Sequence, residues 1–494
     1  MYPYKLYRRR WTVLALFSLI SMTNEVIWIS LSSITSIVQE YYRVDAIAVN
    51  WLSMIYMLLY VLVVISSYIL DKYGLRFTII VGALLNAMGS CLRAIGANRD
   101  GFPLAFLGNT SAALAQCFIL FVPPRLAAVW FGDHERATAS AIGVLMNMFG
   151  VALGFLMGGT MVPSSKNMDC DVKQGMHVLL LSQAIFCSIL AFVSLVVIKN
   201  APLTPPSRSQ ELVLRLKYQP CFNDLNTNGE NAHLMETDRG LPDSDEKNEE
   251  QKQAIKQQET LLDHDTTNLK IDENKSENHC TTYTHVPAFG ESILILGKDK
   301  SFHLICQAYG FYFGLFAAYN TILNQMVISR YPGKEKEIGY MGFAAVNCGL
   351  FAIFFSGVWL DRTRRYKSLS VAIFTACAVT MVIFTLLLKY HDNFIILFIS
   401  FCAFGFFSYP YMSAGLEHVA EVTYPVPEGT TSGILLLVGN IYGIILTYIV
   451  GAAIDNGGGD LGGYLMAACY VIGTLLVLIN SAPLKRSEAD KLHH

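Results

Sequence analysis

Apolar runs of about 20 residues recur along this chain, each long enough to cross the roughly 30 Å hydrocarbon core of a bilayer as an α-helix. They fall into two sets of six, and a short charged hairpin sits at the same place in each set. In the first set it reads Ser67-Tyr68-Ile69-Leu70-Asp71-Lys72-Tyr73-Gly74-Leu75-Arg76. In the second it reads Ser356-Gly357-Val358-Trp359-Leu360-Asp361-Arg362-Thr363-Arg364-Arg365. Each follows the second run of its set and precedes the third. The fold class expected is an all-α membrane protein: twelve transmembrane helices in two pseudo-symmetric six-helix bundles. Such duplicated architectures point to alternating access rather than catalysis.

Spans are predicted over 12–35, 47–70, 76–97, 103–129, 137–162 and 177–198, then 302–328, 338–360, 368–389, 394–417, 429–453 and 461–482. This divides the chain into a first bundle (1–198), a linker (199–298), a second bundle (299–482) and a tail (483–494). The linker opens with Pro202-Leu203-Thr204-Pro205-Pro206 and becomes rich in Asp, Glu, Lys, Asn and Gln. It cannot bury enough apolar surface to offset its ordering entropy, so most of it is expected to be disordered. Leu212, Val213, Leu214 and Leu216, interleaved with Arg215 and Lys217, could form a short amphipathic helix on the inner leaflet.

Lys5, Arg8, Arg9 and Arg10 precede the first span, Lys72 and Arg76 follow the second, and Arg362, Arg364, Arg365 and Lys367 follow the eighth. Lys485 and Arg486 follow the last. With twelve spans these share one face, predicted to be cytosolic together with both termini and the linker. Arg330, Lys334 and Lys336, on the opposite face, are outnumbered. Arg8-Arg9-Arg10-Trp11 runs into a stretch too long for a signal-peptide core, so that stretch is expected to be a span.

With 53% hydrophobic and 15% charged residues, the chain is too apolar for an ordinary soluble enzyme. It holds no GxSxG, Walker, HExxH or dinucleotide-binding glycine motif, so no catalytic residue and no cofactor is expected. Of the 11 cysteines, Cys91, Cys117, Cys187, Cys348, Cys377, Cys402 and Cys469 fall in spans as small apolar residues, and no metal site is suggested. No basic patch interleaved with aromatics lies outside the membrane flanks. The partners expected are a small-molecule substrate and the bilayer, without nucleic acid, and the chain is expected to act as a monomer.

Asn24, Glu25, Trp28 and Ser32 lie on one face of the first span. A carboxylate about halfway through a span is costly in lipid and must face a cavity or a partner. Trp28 beside it offers the best aromatic face for a desolvated cation. The pair suggests a pocket for an organic cation; Glu25 could instead pair structurally with another helix, and Trp28 could be packing. In the seventh span, Tyr312, Phe316 and Tyr319 recur at helical spacing and could form an opposing aromatic wall, with Asn320 and Asn324 on the same side favouring a wet cavity over plain core. Gln116 and Asn440 are further mid-span amides that could orient a ligand hydroxyl or bond another helix.

On the predicted cytosolic side, Asp71, Arg76, Arg125 and Arg136 in the first half and Asp361, Arg365, Glu417 and Glu421 in the second bring charges of both signs to neighbouring helix ends. Such charges can latch one conformation shut, or can simply be solvated. Glycines concentrate on the fifth span (Gly143, Gly150, Gly154, Gly158, Gly159) and on the eleventh (Gly433, Gly439, Gly443, Gly451), where they allow close helix packing and suit a rocking interface.

The hairpins resemble the signature loop of the major facilitator superfamily. Several segments are similar to the feline leukaemia virus subgroup C receptor-related family: Asn50-Trp51-Leu52-Ser53-Met54-Ile55-Tyr56-Met57, Ala115-Gln116-Cys117-Phe118-Ile119-Leu120, Leu323-Asn324-Gln325-Met326, Glu417-His418-Val419-Ala420-Glu421-Val422-Thr423-Tyr424-Pro425 and Glu428-Gly429-Thr430-Thr431-Ser432-Gly433. The resemblance covers nearly all of both bundles. It implies facilitative movement of choline and ethanolamine, an association with haem export, and a plasma membrane location. By position it places the family's cation-facing tryptophan on Trp28 and its pocket glutamines on Gln116 and Asn440, the second being a departure. The family's pocket tyrosine falls on Ala317, and Glu25 stands where the better-known members carry an uncharged residue.

The resulting expectation is a carrier of a small organic cation, choline first and ethanolamine second, working as a uniporter. Haem export is the alternative, although His134, His177, His303, His391 and His418 all lie at span ends or in loops and offer no mid-membrane axial ligand. A non-transporting receptor or sensor is a third reading.

Overall fold

The computed structural model describes residues 6–164, 168–202, 204, 206, 289–480 and 483–485. The expected helix at 212–217 and most of the linker lie outside the described residues. The linker's last residues, however, are ordered as a helix, since Ile293, Leu294, Ile295 and Leu296 form an apolar cluster unlike the charged stretch before them.

The first bundle contains α1 (Arg9–Ser30), α2 (Thr35–Tyr42), α3 (Ala46–Leu59), α4 (Val63–Ile95), α5 (Phe102–Ile119), α6 (Val122–Trp130), α7 (Asp133–Met161) and α8 (Lys173–Val197). After α9 (Phe289–Lys298), the second contains α10 (Lys300–Ile328), α11 (Glu335–Thr363), α12 (Tyr366–Tyr390), α13 (Phe394–Ser408), α14 (Tyr411–Thr423), α15 (Glu428–Gly457) and α16 (Gly459–Ile479). No strand occurs among the described residues. There, 11 helical segments are long and apolar enough to cross a membrane. The seventh span, α10, falls outside that set; it carries Gln307, Asn320, Asn324 and Gln325 along its length.

Four of the expected continuous spans are interrupted. The first breaks after Ser30 at a 3₁₀ turn over Ser32–Ile34, and the second breaks at Tyr60–Leu62. The fourth breaks at Leu120-Phe121, where Pro123 and Pro124 open α6, and the tenth at Tyr409-Pro410. Proline has no N–H for the helical ladder and clashes with the preceding turn, which accounts for the last two breaks. Both charged hairpins reverse through left-handed backbone: Gly74, which divides α4 between the second span and the third (Lys72–Ile95), has φ +84°, and Arg364 has φ +48°. Glycine meets that requirement without steric cost, whereas arginine does not.

The bundles meet through α7 against α11, α3 against α15, and α10 against α2 and the 3₁₀ turn at 32–34. Only part of the glycine pattern serves this interface. Gly150, Gly154 and Gly158 pack on α1 within their own bundle, and Gly439 packs on Phe313. Across the bundles, Gly159 meets Glu335 and Gly339, Gly443 meets Met57, and Gly451 meets Asn50.

Candidate substrate site

Glu25 is 2% exposed and about midway along the first span (Arg9–Tyr42), so its carboxylate must be held by other side chains. Gln116 Nε2 on α5 and Asn147 Nδ2 on α7 each donate to Glu25 Oε1 at 3.0 Å. Asn147 also donates to Ser21 Oγ at 3.0 Å, which ties the cluster to the preceding turn of α1. A neighbouring glycine makes this possible: a Cβ on Gly150 would lie 2.9 Å from Glu25 Cβ and 2.3 Å from Met22 O. Both donors use one carboxylate oxygen, and no described residue donates to the other.

One turn further along α1, the Trp28 ring lies 6.4 Å from the Tyr56 ring of α3, inclined at 46°. Neither Trp28 Nε1 nor the Tyr56 hydroxyl has a hydrogen-bond partner. An aromatic pair beside a carboxylate, with two polar tips uncommitted, can offer a cation a π face and its substituents hydrogen bonds. The break in α1 just beyond is held by Arg93 of α4. Its fully buried guanidinium donates to Ile27 O at 3.1 Å and to Ser30 Oγ at 3.0 Å. Sequence reading passed over Arg93, Tyr56 and Asn147. A lone arginine and a lone asparagine inside predicted spans were the available signals for the first and last of these.

Other expected site residues are placed elsewhere. Asn24 faces away from the cluster, donating to Asn86 Oδ1 at 3.0 Å and Ala112 O at 2.8 Å. Tyr312, Phe316 and Tyr319 do share a face, but it turns into the second bundle. Tyr312 packs 4.9 Å from Tyr411, Phe316 packs 5.1 Å from Tyr409, and Tyr319 packs 5.0 Å from Phe404. Tyr312 also donates to Ser408 O at 2.6 Å. The expected wall is therefore satisfied within its own bundle, because that face of α10 is the one covered by α13 and α14. Asn320 donates to Phe316 O at 2.7 Å within the same helix. Asn440 bonds Leu436 O at 2.8 Å, and it shares a face of α15 with Gly443, which meets Met57 of α3. A Cβ on Gly443 would also lie 3.4 Å from Ala317 Cβ, which puts Ala317 at the junction of α3, α10 and α15.

On the membrane face away from the termini, polar contacts clasp the two bundles. Ser36 N donates to Asn324 Oδ1 at 3.0 Å, Asn50 Nδ2 to Gln325 Oε1 at 3.4 Å, and Ser36 Oγ to Glu335 Oε1 at 3.5 Å. Asn324 and Gln325 thus join the two bundles on that side of the molecule. On the opposite face, the ion pairs Arg10–Glu135 (2.9 Å) and Lys485–Asp299 (3.2 Å) each stay within one bundle. Arg76 and Arg136 reach backbone carbonyls of their own bundle, Leu195 O and Ala128 O. Arg125 is half-buried, Arg365 and Glu417 are exposed, and Glu421 is buried. Asp71 and Asp361 are placed by their backbone only, near the ends of the spans that the hairpins join.

A family model described as Major Facilitator Superfamily matches residues 13–263, more than half of the chain. The chain belongs to the major facilitator superfamily. It is similar over nearly its whole length to the choline/ethanolamine transporter flvcr2b of Danio rerio, with 32% identity over 488 residues covering 99% of this chain and 87% of that protein. The choline/ethanolamine transporter FLVCR2 of Homo sapiens is 31% identical, covering 99% of this chain and 80% of its own. At that identity and coverage the chain also belongs to the family of these relatives, in agreement with the resemblance of its motifs. The crystal structure of a D-xylose-proton symporter shares the fold, with a TM-score of 0.66 at 10% identity over 96% of this chain and 97% of that one. This facilitator is thus a multi-pass membrane transporter for a small molecule, and not an enzyme.

Proposed function

We propose that this facilitator carries a small organic cation of the choline and ethanolamine class by alternating access. The observation that carries this reading is the cluster of Trp28, Tyr56, Glu25 and Gln116 inside the first bundle. The relatives, named as choline/ethanolamine transporters, favour the same substrate class. In this reading Trp28 and Tyr56 supply π faces for the ammonium, Glu25 supplies the counter-charge, and the role of orienting a hydroxyl is assigned to Gln116 and Asn440. Ala317 leaves room at the junction of the helices where the family resemblance puts a tyrosine.

The polar clasp through Ser36, Asn324, Asn50 and Gln325 supports a conformation closed away from the termini. Opening that clasp while the charged ends of the other face come together would expose the site to the opposite side. The latch is assigned to Asp71, Arg76, Arg125, Arg136, Asp361, Arg365, Glu417 and Glu421. Lysine and arginine in the short loops favour cytosolic termini. In the plasma membrane the potential, about 2.3 kcal/mol per charge per 100 mV, suffices to drive a monovalent cation inward without a coupled ion.

Labelled choline and ethanolamine uptake, measured at two external pH values with Glu25→Gln alongside, tests this. The expected result is saturable uptake of at least one amine, insensitive to pH, with Glu25→Gln raising KM severalfold by removing the counter-charge. Uptake lost in Glu25→Gln and dependent on pH in the parent would replace uniport with proton coupling. No uptake of either amine by protein confirmed at the surface would refute the substrate assignment.

A further inference from the structure

On the membrane face that carries the termini, the turn between α11 and α12, the body of α14 and the end of α16 border a half-open cavity of about 360 Å³. Arg364, Arg365, Lys367, Ser368 and His418 line it, and no acidic side chain does so among the described residues. Three positively charged side chains on this rim therefore come from four consecutive positions. The same turn begins α12, a helix of 25 residues whose N-cap, Arg365, makes no side-chain capping bond. Its first amide N–H groups carry the positive end of the helix dipole, which favours an anion there.

His418 points independently to a ligand. It is 4% exposed and stacks on Tyr366 with ring centroids 5.8 Å apart and planes 17° from parallel. It is one of the residues that line the cavity, and its Nδ1 is buried with no hydrogen-bond partner. Buried polar atoms are nearly always paired, so an unpaired nitrogen on a residue that lines a cavity points to a polar guest reaching it. Lys367 Nζ donates to Leu478 O at 2.9 Å, which fastens the turn to the end of α16. Leu478 and Ile479, 49% and 67% exposed, directly precede the lining residue Asn480. The cavity therefore sits where an apolar helix surface gives way to charged turns, the depth of lipid headgroups.

We propose that this cavity binds a phosphomonoester anion, supplied by the phosphorylated headgroup of an acidic membrane lipid. A phosphomonoester carries close to two negative charges and three acceptor oxygens, which suits donors converging from several directions better than a single carboxylate does. Arg364 and Arg365 contribute forked donors, the first turn of α12 contributes backbone N–H groups, and His418 Nδ1 meets the buried side of the group. A soluble phosphoester offers the same chemistry, and the test separates the two sources.

The full-length protein is purified and placed in phosphatidylcholine nanodiscs containing a small fraction of phosphatidylinositol 4,5-bisphosphate, and the bound lipid is quantified by native mass spectrometry. The expected result is enrichment of the phosphorylated lipid on the protein. The double variant Arg364→Gln, Arg365→Gln should lower that enrichment roughly 30-fold, at about fivefold for each interfacial charge. Both side chains are exposed, so the variant is expected to fold, and an unchanged gel-filtration profile checks this. Arg330→Gln, on the opposite face, should leave enrichment unchanged. Displacement by soluble inositol trisphosphate at an affinity equal to that of the lipid would keep the site but assign it to a soluble phosphoester. No enrichment, or enrichment that survives the double variant, overturns the proposal.

Discussion

Trp28→Ala is expected to abolish saturable uptake of choline and ethanolamine while the protein still reaches the cell surface. A desolvated cation over a tryptophan face gains about 2 kcal/mol, equivalent to roughly 30-fold in affinity. The Tyr56 ring, 6.4 Å away, keeps its position but loses its partner, so one face of the cation would be left without an aromatic contact. Truncating a buried tryptophan also costs about 3–5 kcal/mol of packing, so lost uptake alone could report misfolding. Trp28→Phe separates the two effects. It keeps a π face and most of the volume, and should restore folding fully and affinity in part. Unchanged uptake in Trp28→Ala at equal surface expression would remove Trp28 from the site.

Gly339→Val should disable transport by a different route, through the interface of α7 and α11. A Cβ at Gly339 would stand 2.8 Å from Phe155 O and 3.1 Å from Gly159 Cα. Both obstacles are on the facing backbone, which cannot rotate away as a flexible side chain can. Overpacking of this kind costs about 1–3 kcal/mol, and here it falls on the arrangement in which the two helices are in contact. A penalty of about 1.4 kcal/mol moves a two-state population tenfold. The clasp at Ser36 and Asn324 should then open more often. A Ser36→Cys reporter should react faster with a membrane-impermeant maleimide in the Gly339→Val background, while uptake falls at least tenfold. Unchanged labelling and uptake would show that the close approach of α7 and α11 is not needed for the transport cycle.

Much of the architecture was legible in the residues because hydrocarbon imposes a strict rule: every span must satisfy its own backbone. Apolar length therefore located the spans, and the recurrence of Asp71 and Asp361 in equivalent hairpins implied the duplication. Pro123, Pro124 and Pro410 signalled breaks that a reading by apolar length alone ran through. Glu25 and Trp28 also stood out, since a carboxylate and an indole one turn apart in a span demand an explanation.

The partners of those residues were not legible. Helical periodicity says which side chains share a face but not what covers it. The stripe of Tyr312, Phe316 and Tyr319 turned to α13 and α14, and Asn24 turned to Asn86 and Ala112. Asn324 and Gln325 reached across to Ser36 and Asn50, some 275 residues away in the latter case. By itself the sequence determined twelve apolar spans, their duplication, and a costly carboxylate beside a tryptophan, because these follow from transfer free energies and local periodicity. Only the tertiary structure decided that Gln116 and Asn147 hold Glu25, that Tyr56 faces Trp28, and that Arg93 fastens the break in α1. Those pairings depend on how distant helices rotate and approach, and packing between helices sets that.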